Sequence, residues 1–501
     1  MSHFAHVEAG GVPSGGARGQ RTEAGGIAGR LLVLVLVGMV GLAGAVYLGW
    51  VPDPLTGTPA APDAPPALRE PPPSGPGLDL DPPPPPAPVL AGIDRSGASP
   101  TGKLEGVVAA GLASPRLGRH VGAAVAPLGA PRHLWTAAGS DVVTPASTMK
   151  LLTTLTALSV LGPEHRFETA VQQGKTRRQL VLVGGGDPLL TDNKLTAAEA
   201  AAAYPEPATL QQLAARTAAG LNRSDVHRVS LGYDDSLFVG PAVNPQWEPN
   251  YVPESVVSPI GALWVDEGRA SAGLLARVGD PARTAAERFA VLLAKHAVRV
   301  DPAVLHVRAS DRSAPLAKVE SAPLAQIVQH VLEVSDNEAA EVLLRQLAIA
   351  SGRPGSSAAG VHVVRKTLEG LGVDLSRAVI FDGSGLSRHD RLPVEALVDV
   401  LDVAADPGHP GLRAVITSLP VAGFNGGLAD RFVSDAPAGL GVVRAKTGTL
   451  TGVHGLAGVA LTRNARVLIF AAVADRVPVP KTLEARAQLD RVAASLAGCT
   501  C

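Results

Sequence analysis

Cysteine is nearly missing from this chain. Of its 501 residues only Cys499 and Cys501 are cysteines, both at the extreme C-terminus. Two such residues cannot build a disulfide framework, and they stand in no metal-ligand spacing, so no structural zinc site is expected. An excess of either charge is missing too. Lys plus Arg number 44 and Asp plus Glu 45, for a net charge of −1. That balance gives no reason to expect nucleic acid as a partner. No convincing internal repeat is visible. The glycines Gly184–Gly186 lack the Lys-Ser/Thr that a phosphate loop needs after them, and they read as a backbone turn. With 46% hydrophobic residues, what is present suffices for a sizeable core in two or three domains.

One long apolar run stands out. Leu31 to Val51 carries no charge. As a helix at about 1.5 Å per residue it spans roughly 30 Å, one bilayer core. Arg18, Arg21 and Arg30 precede it, and Trp50 and Asp53 mark its far end. The positive-inside bias puts residues 1–30 in the cytoplasm and everything after Val51 outside. A single-pass membrane anchor at 31–51 is expected. A cleaved signal segment is the alternative, because Ala43-Gly44-Ala45 resembles a cleavage site. Either way the bulk of the chain is extracytoplasmic. Residues 1–30 read as a disordered tail. Residues 52–101 are a Pro-rich linker, with runs at Pro71–Pro73 and Pro82–Pro86, that acts as a stiff spacer.

Folded sequence begins near residue 102. His120–Leu128 and His133–Ala137 read as two strands. Thr144 followed by Pro145 reads as a helix start, with the helix running to Gly162. Strand-like runs (Leu180–Val183, His227–Leu231) then alternate with helical ones (Ala208–Ala219, Ala285–Ala297). Helical pattern dominates Leu324–Ala350. Gly441–Ala445, Gly455–Leu461 and Arg466–Ala474 look like an antiparallel meander, and Thr482–Ala497 like a closing amphipathic helix.

Three short motifs follow one another: Ser147-Thr-Met-Lys150, Ser335-Asp336-Asn337 and Lys446-Thr447-Gly448. Each alone is weak. Together and in this order they match the motif set of penicillin-binding proteins and class A β-lactamases. The spacings have physical reasons. Ser147 and Lys150 are i and i+3 on a helix, hence on one face. A serine hydroxyl is a poor nucleophile until a base takes its proton. A lysine that is desolvated and set beside another cation can be that base, and Lys446 is the candidate second cation. Gly448 leaves room for a peptide backbone to approach the strand edge.

Longer runs around these motifs resemble the D-alanyl-D-alanine carboxypeptidase/endopeptidase family that includes bacterial penicillin-binding protein 4 (peptidase family S13). They are Gly184-Gly-Gly-Asp-Pro188, Ser258-Pro-Ile-Gly-Ala-Leu263, Asp382-Gly-Ser-Gly-Leu-Ser-Arg388, Ser418-Leu-Pro-Val-Ala-Gly423 and Lys446-Thr-Gly-Thr-Leu-Thr-Gly452. The resemblance covers Pro115 to Val492. It implies an α/β (α+β) serine penicillin-recognising fold, an antiparallel sheet flanked by helices. One or two domains would be inserted between the first and second motifs. The peptidase domain would then be 102–165 with 306–501, and the insertion 166–305.

By motif position, the resemblance makes Ser147 the nucleophile, Lys150 its base and Ser335 a proton relay to the leaving amine. Asn337 would hold Lys150 and the substrate amide, and Lys446 with Thr447 and Thr449 the terminal carboxylate. Backbone N–H groups of Ser147 and Thr449 would form the oxyanion hole. Peptidoglycan stem peptides are the implied substrates and β-lactams the implied inhibitors, with no cofactor or metal. Asp336 reads as a helix cap, and His389 and His454 as structural. One departure is visible: Asn425-Gly426-Gly427 stands where the family usually has Asp-Gly-Thr, which leaves the contacts of that loop open. Two other readings compete. By resemblance to class A enzymes, such a β-lactamase needs a deacylating glutamate with Asn four positions on, and none of Glu338, Glu341, Glu369 or Glu395 has one. A catalytically silent cell-wall binding protein would have no need to keep all five of Ser147, Lys150, Ser335, Asn337 and Lys446.

Overall fold

The computed structural model describes residues 101–129, 135–137, 142–192, 203–271, 274–310 and 314–500. They fall within the unit Pro88–Cys501. The tail at 1–30, the apolar segment at 31–51 and the linker up to residue 100 lie outside the described residues. Among the described residues no helix is long and apolar enough to cross a membrane.

The chain opens with α1 (Thr101–Leu112), β1 (Val121–Pro127), β2 (Trp135–Ala137) and β3 (Val142–Val143). A 3₁₀ turn, Ala146–Met149, leads into α2 (Lys150–Leu161). Then come β4 (Glu168–Gln173), β5 (Gln179–Val183), α3 (Leu210–Asn222), β6 (Arg228–Asp234), α4 (Pro281–Lys295), β7 (Arg299–His306) and β8 (Pro315–Glu320). Helices α5 (Leu324–Glu333), α6 (Asn337–Ala350) and α7 (Ser357–Gly370) follow. After them come β9 (Leu392–Pro393), α8 (Val394–Ala405), β10 (Val443–Leu450), β11 (Val453–Leu461), β12 (Val467–Ala474) and α9 (Thr482–Ala497).

Two five-stranded sheets result. The first has the order β10-β11-β12-β1-β2 and is antiparallel throughout. β12 shows why it is covered on both sides. Its side chains alternate: Leu468, Phe470, Ala472 and Ala474 enter one core, Ile469, Ala471 and Val473 the other. A strand with a core on each face reads as a continuous apolar run. α1 and α9 close one face, while α2, α5, α6, α7 and α8 build the core on the other. The second sheet has the order β7-β6-β5-β4-β8 and is mixed, with β5-β6-β7 parallel, and it packs on α3 and α4. It lies wholly between the first two motifs. Because β8 belongs to it, this sheet reaches Glu320 rather than stopping at the expected residue 305.

Two local expectations need correction. The helix expected from Thr144 starts at Lys150, and the Ser147 segment is a 3₁₀ turn. Thr144 does not cap it; its Oγ1 accepts a hydrogen bond from Arg391 Nη1 at 3.0 Å. The helical pattern at Leu324–Ala350 is broken into α5 and α6, because Ser335 adopts φ +62° between them.

Strand β10 depends on one glycine of its neighbour. A Cβ on Gly458 would lie 1.9 Å from the Arg444 carbonyl oxygen. Gly458→Ala is expected to displace β10 and to lower stability by about 1–3 kcal/mol, the range for overpacking a tight core. A thermal melt beside a penicillin-labelling assay checks it: both should fall.

Candidate active site

Lys150 anchors the site. It opens α2, a helix whose residues Lys150–Leu158 are all buried. Such a helix can carry threonines because their hydroxyls turn back on the backbone. Thr154 donates to the Lys150 carbonyl at 2.6 Å and Thr156 to that of Leu152 at 2.8 Å. The Lys150 ammonium is fully buried and has three acceptors: Ser147 Oγ at 3.1 Å, Asn337 Oδ1 at 2.8 Å and the Ser384 carbonyl at 2.8 Å. Burial disfavours its charge and lowers its pKa to about 8, although Asp382, Asp336, Glu341 and Glu338 pull the other way. In a 3₁₀ turn i and i+3 eclipse, which stacks Ser147 on Lys150 more directly than an α-helix would.

Ser335 and Asn337 come from the α5–α6 break. Asp336 caps α6, accepting from the Ala339 N–H at 2.9 Å, as the sequence reading expects. Asn337 then accepts from Lys150 with its oxygen, while its amide nitrogen donates to the Val256 carbonyl at 3.3 Å. Lys446 Nζ donates to Ser335 Oγ at 2.8 Å and to the Thr447 carbonyl at 3.0 Å. It is buried, and burial followed by the charge of Lys150 holds its pKa well below the usual lysine range. Lys150 thus meets Ser147 and Asn337, while Lys446 meets Ser335.

The third motif lies on β10, at the end of the first sheet. Pro420 and Val421 cover the start of its outer edge, through Ala445 N–H to Pro420 O and a bridge between Val421 and Arg444. From Lys446 onward, among the described residues, that edge carries no further strand. Gly448 passes under the Ser147 turn: a Cβ there would sit 2.8 Å from the Pro145 carbonyl. A cleft of ≈ 550 Å³ opens here, lined by Ser147, Ser335, Asn337, Thr449, Tyr251 and Arg388 among others.

All three motifs therefore meet, and Thr449 reaches the cleft. The buried Lys446 stands behind its wall, and the partly exposed Thr447 lies beside Gly448 on the same strand. Asn425, the departure from the family pattern, settles its loop by accepting from the Val421 N–H and donating to Glu333. Gly427 lies against Thr447, where a Cβ would be 2.9 Å from its Oγ1. His454 is buried in the sheet, with its pKa lowered to about 4 by burial, then by Arg486 and Arg431.

The sequence reading missed the group that holds Ser384. Asp382 accepts from the N–H groups of Gly385 and Ser387, both at 2.7 Å, and from Trp247 Nε1 at 2.8 Å. Glu341 accepts from the N–H groups of Gly383 and Ser384, both at 2.8 Å. Burial and the nearby Asp382 raise the Glu341 pKa. Gly385 permits the loop at φ +79°, because a Cβ there would strike the Ala146 carbonyl at 1.8 Å. The available signal was the Asp382–Arg388 run itself, in which Asp, Gly and Ser are turn-forming residues. Arg388, in the same run, supplies the cleft with a cation.

An antiparallel sheet clad in helices, with Ser-x-x-Lys, Ser-x-Asn and Lys-Thr-Gly closing on one cleft, defines the class as the serine penicillin-recognising fold. Residues 104–277 and 269–496 match the D-Ala-D-Ala carboxypeptidase 3 (S13) family. The chain belongs to that family and is a serine D-Ala-D-Ala carboxypeptidase. It is 33% identical to carboxypeptidase DacB of Mycolicibacterium smegmatis over 479 residues, 94% of this chain and 96% of the relative. It is 33% identical to the D-alanyl-D-alanine carboxypeptidase of Actinomadura sp. R39 over 441 residues, 74% of this chain and 80% of that one. Penicillin binding protein 4 of Haemophilus influenzae shares the fold, with a TM-score of 0.62 at 21% identity over 79% of this chain and 98% of that one.

Since only neutral Lys150 can take a proton, reaction at Ser147 is expected to speed up as pH rises through about 8. Pre-steady-state labelling with a penicillin across that range checks it. A rate that is flat from acid to alkaline pH would remove Lys150 from the role of base.

Proposed function

We propose that Ser147 attacks the carbonyl of the penultimate D-alanine of a peptidoglycan stem peptide. Its proton passes to Lys150. The peptide C–N bond then breaks, the terminal D-alanine leaves with a proton relayed through Ser335, and water later hydrolyses the acyl-serine. Cleavage of cross-linked stem peptides is the same reaction with a larger leaving amine. The observation that carries this reading is the buried Lys150 ammonium, 3.1 Å from Ser147 Oγ and held neutral more readily than an exposed lysine.

The remaining roles follow the contacts. Asn337 fixes Lys150 and offers its amide side to the substrate. From Lys446 onward the edge of β10 takes the peptide as an added strand, while Gly448 lets the Ser147 turn pack against that strand. Thr447 and Thr449 hydroxyls, with the charge of Lys446 behind them, hold the terminal carboxylate. Lys446 also orients Ser335. The N–H groups of Ser147 and Thr449 receive the oxyanion. β-Lactams inhibit by acylating the same serine. Fast β-lactam hydrolysis is disfavoured, because Glu338 and Glu341 engage Arg277, Ser258 and the Gly383–Ser384 backbone. The substrate lies outside the cytoplasmic membrane, which fits residues 31–51 acting as an anchor or a cleaved signal.

Two measurements test the assignment. Intact mass after exposure to a penicillin should rise by one adduct that maps to Ser147 and leaves slowly. Ser147→Ala should lose it while keeping its melting temperature, and an adduct on another residue would remove the central claim. Lys446→Gln removes the charge but keeps hydrogen bonding. For a peptide ending in free D-Ala-D-Ala, kcat/KM should fall roughly ten- to a hundredfold, about 1.4–2.7 kcal/mol. An amidated peptide should lose much less. Equal losses would move Lys446 from reading the carboxylate to tuning Lys150 and Ser335.

A further inference from the structure

Two strained backbone segments face each other behind the Ser335–Asn337 turn. One is Ser335 itself at φ +62°. The other is Asp266-Glu267, with φ +52° and +56°, which follows the Ser258–Leu263 run in the chain. Non-glycine residues stay in this left-handed region only where their surroundings over-determine them. What lies between the segments is a cluster of ionisable groups that the chemistry proposed above does not use. His330 Nε2 is 3.1 Å from Asp336 Oδ2 and 4.0 Å from Glu267 Oε1. Arg269 pairs with the other Glu267 oxygen at 2.6 Å. Glu338 adds a further carboxyl, paired with Arg277 at 2.7 Å and accepting from the Ser258 N–H. The Glu267 main chain is pinned as well, since Ser258 Oγ donates to its carbonyl.

One side-chain oxygen of Glu267 and one of Asp336 lie within 4.8 Å of each other, and both groups are buried. Two carboxylates only accept, so a bond between them needs a proton on one of them. We propose that Glu267 is a positioning residue for the serine chemistry: its carboxylic acid donates to the Asp336 carboxylate and so holds the Ser335–Asn337 turn against the two active-site lysines. Burial, then Asp336 and Glu338, push the Glu267 pKa far above the carboxyl range. Burial alone would raise Asp336 also, but the His330 hydrogen bond and charge bring it below its ordinary value. The proton thus sits on Glu267. Asp336 is left with three donors: Glu267, His330 and the Ala339 N–H. Every bond to Asp336 fixes the residue between the serine that meets Lys446 and the asparagine that meets Lys150.

The proposal rests on the acyl-serine reading of the cleft, and one experiment separates the two. The rate of penicillin acylation of the full chain is measured by intact mass, from neutral to alkaline pH, for wild type, Glu267→Gln and Glu267→Leu. The glutamine amide still donates to Asp336 and does not ionise. It should match wild type near neutrality and keep its rate on the alkaline side, where wild type falls as Glu267 loses its proton. The titrations of Lys150 and Lys446 are common to both proteins and drop out of the comparison. Leucine removes the donor and should slow acylation roughly ten- to a hundredfold, the scale of a small misplacement of reacting groups. Coincident alkaline limbs for wild type and Glu267→Gln overturn the proposal alone, and this comparison decides even if the leucine variant fails to fold. An unslowed, folded Glu267→Leu does the same. Wild type that takes up no penicillin overturns the acyl-serine reading and this proposal with it. One ligand atom each from Glu267, His330 and Asp336 also lie within 4.8 Å of one another. A zinc ion retained by wild type but not by Glu267→Gln in native mass spectrometry would replace the shared proton and overturn the proposal too.

Discussion

A buried ammonium group is the constraint around which this enzyme is organised. Lys150 has no access to water, and a charge so placed is tolerated only when fully hydrogen-bonded. Its three acceptors come from three separate pieces of chain: the 3₁₀ turn at Ser147, the start of α6 at Asn337, and the loop at Ser384. Each piece is therefore fixed relative to the others by one atom. The same desolvation that demands the acceptors also weakens the lysine's hold on its proton, so the structural requirement and the chemical one coincide.

A second layer holds the acceptors in their turn. The Ser384 loop is gathered by Asp382 and Glu341, whose carboxylates collect four backbone N–H groups between them. Asn337 is set by the cap at Asp336, and Asp336 by His330 and Glu267. Buried carboxyls behind a buried lysine supply counter-charge at a distance. They also keep Lys150 from falling as far in pKa as its burial alone would drive it.

Lys446 makes the site asymmetric. It lies behind the cleft wall, close enough to Lys150 for that lysine's charge to disfavour its own. Ser335 accepts from Lys446, whereas Ser147 accepts from Lys150, so the two hydroxyls face different cations. Beside them β10 offers, from Lys446 onward, an edge that carries no further strand among the described residues. The inserted sheet between the first two motifs adds to this arrangement from behind. The chain between its strands β6 and β7 carries Ser258 and Glu267 to the back of the Ser335 turn.

Much of this was legible in the chain. The closing meander and helix are runs whose period matches their structure, since strands with a core on each face are continuously apolar and α9 fills one stretch without a breaker. The pairing of Ser147 with Lys150 is local, because three residues is one turn whether the helix is 3₁₀ or α. The meeting of three distant motifs was legible only through resemblance, since nothing in their spacing brings them together. Beyond that, tertiary structure decided. A cap at Asp336 is readable inside the helical pattern of Leu324–Ala350, but only packing sets Ser335 at φ +62° before it. The second sheet takes in β8 because that strand pairs with β4, nearly the whole insertion away in sequence. The burial that shifts Lys150, and the proton shared by Glu267 and Asp336, depend on which groups are brought face to face without water. Sequence determined which side chains could do the chemistry; desolvation and long-range contact, which no local pattern encodes, decided their protonation and their aim.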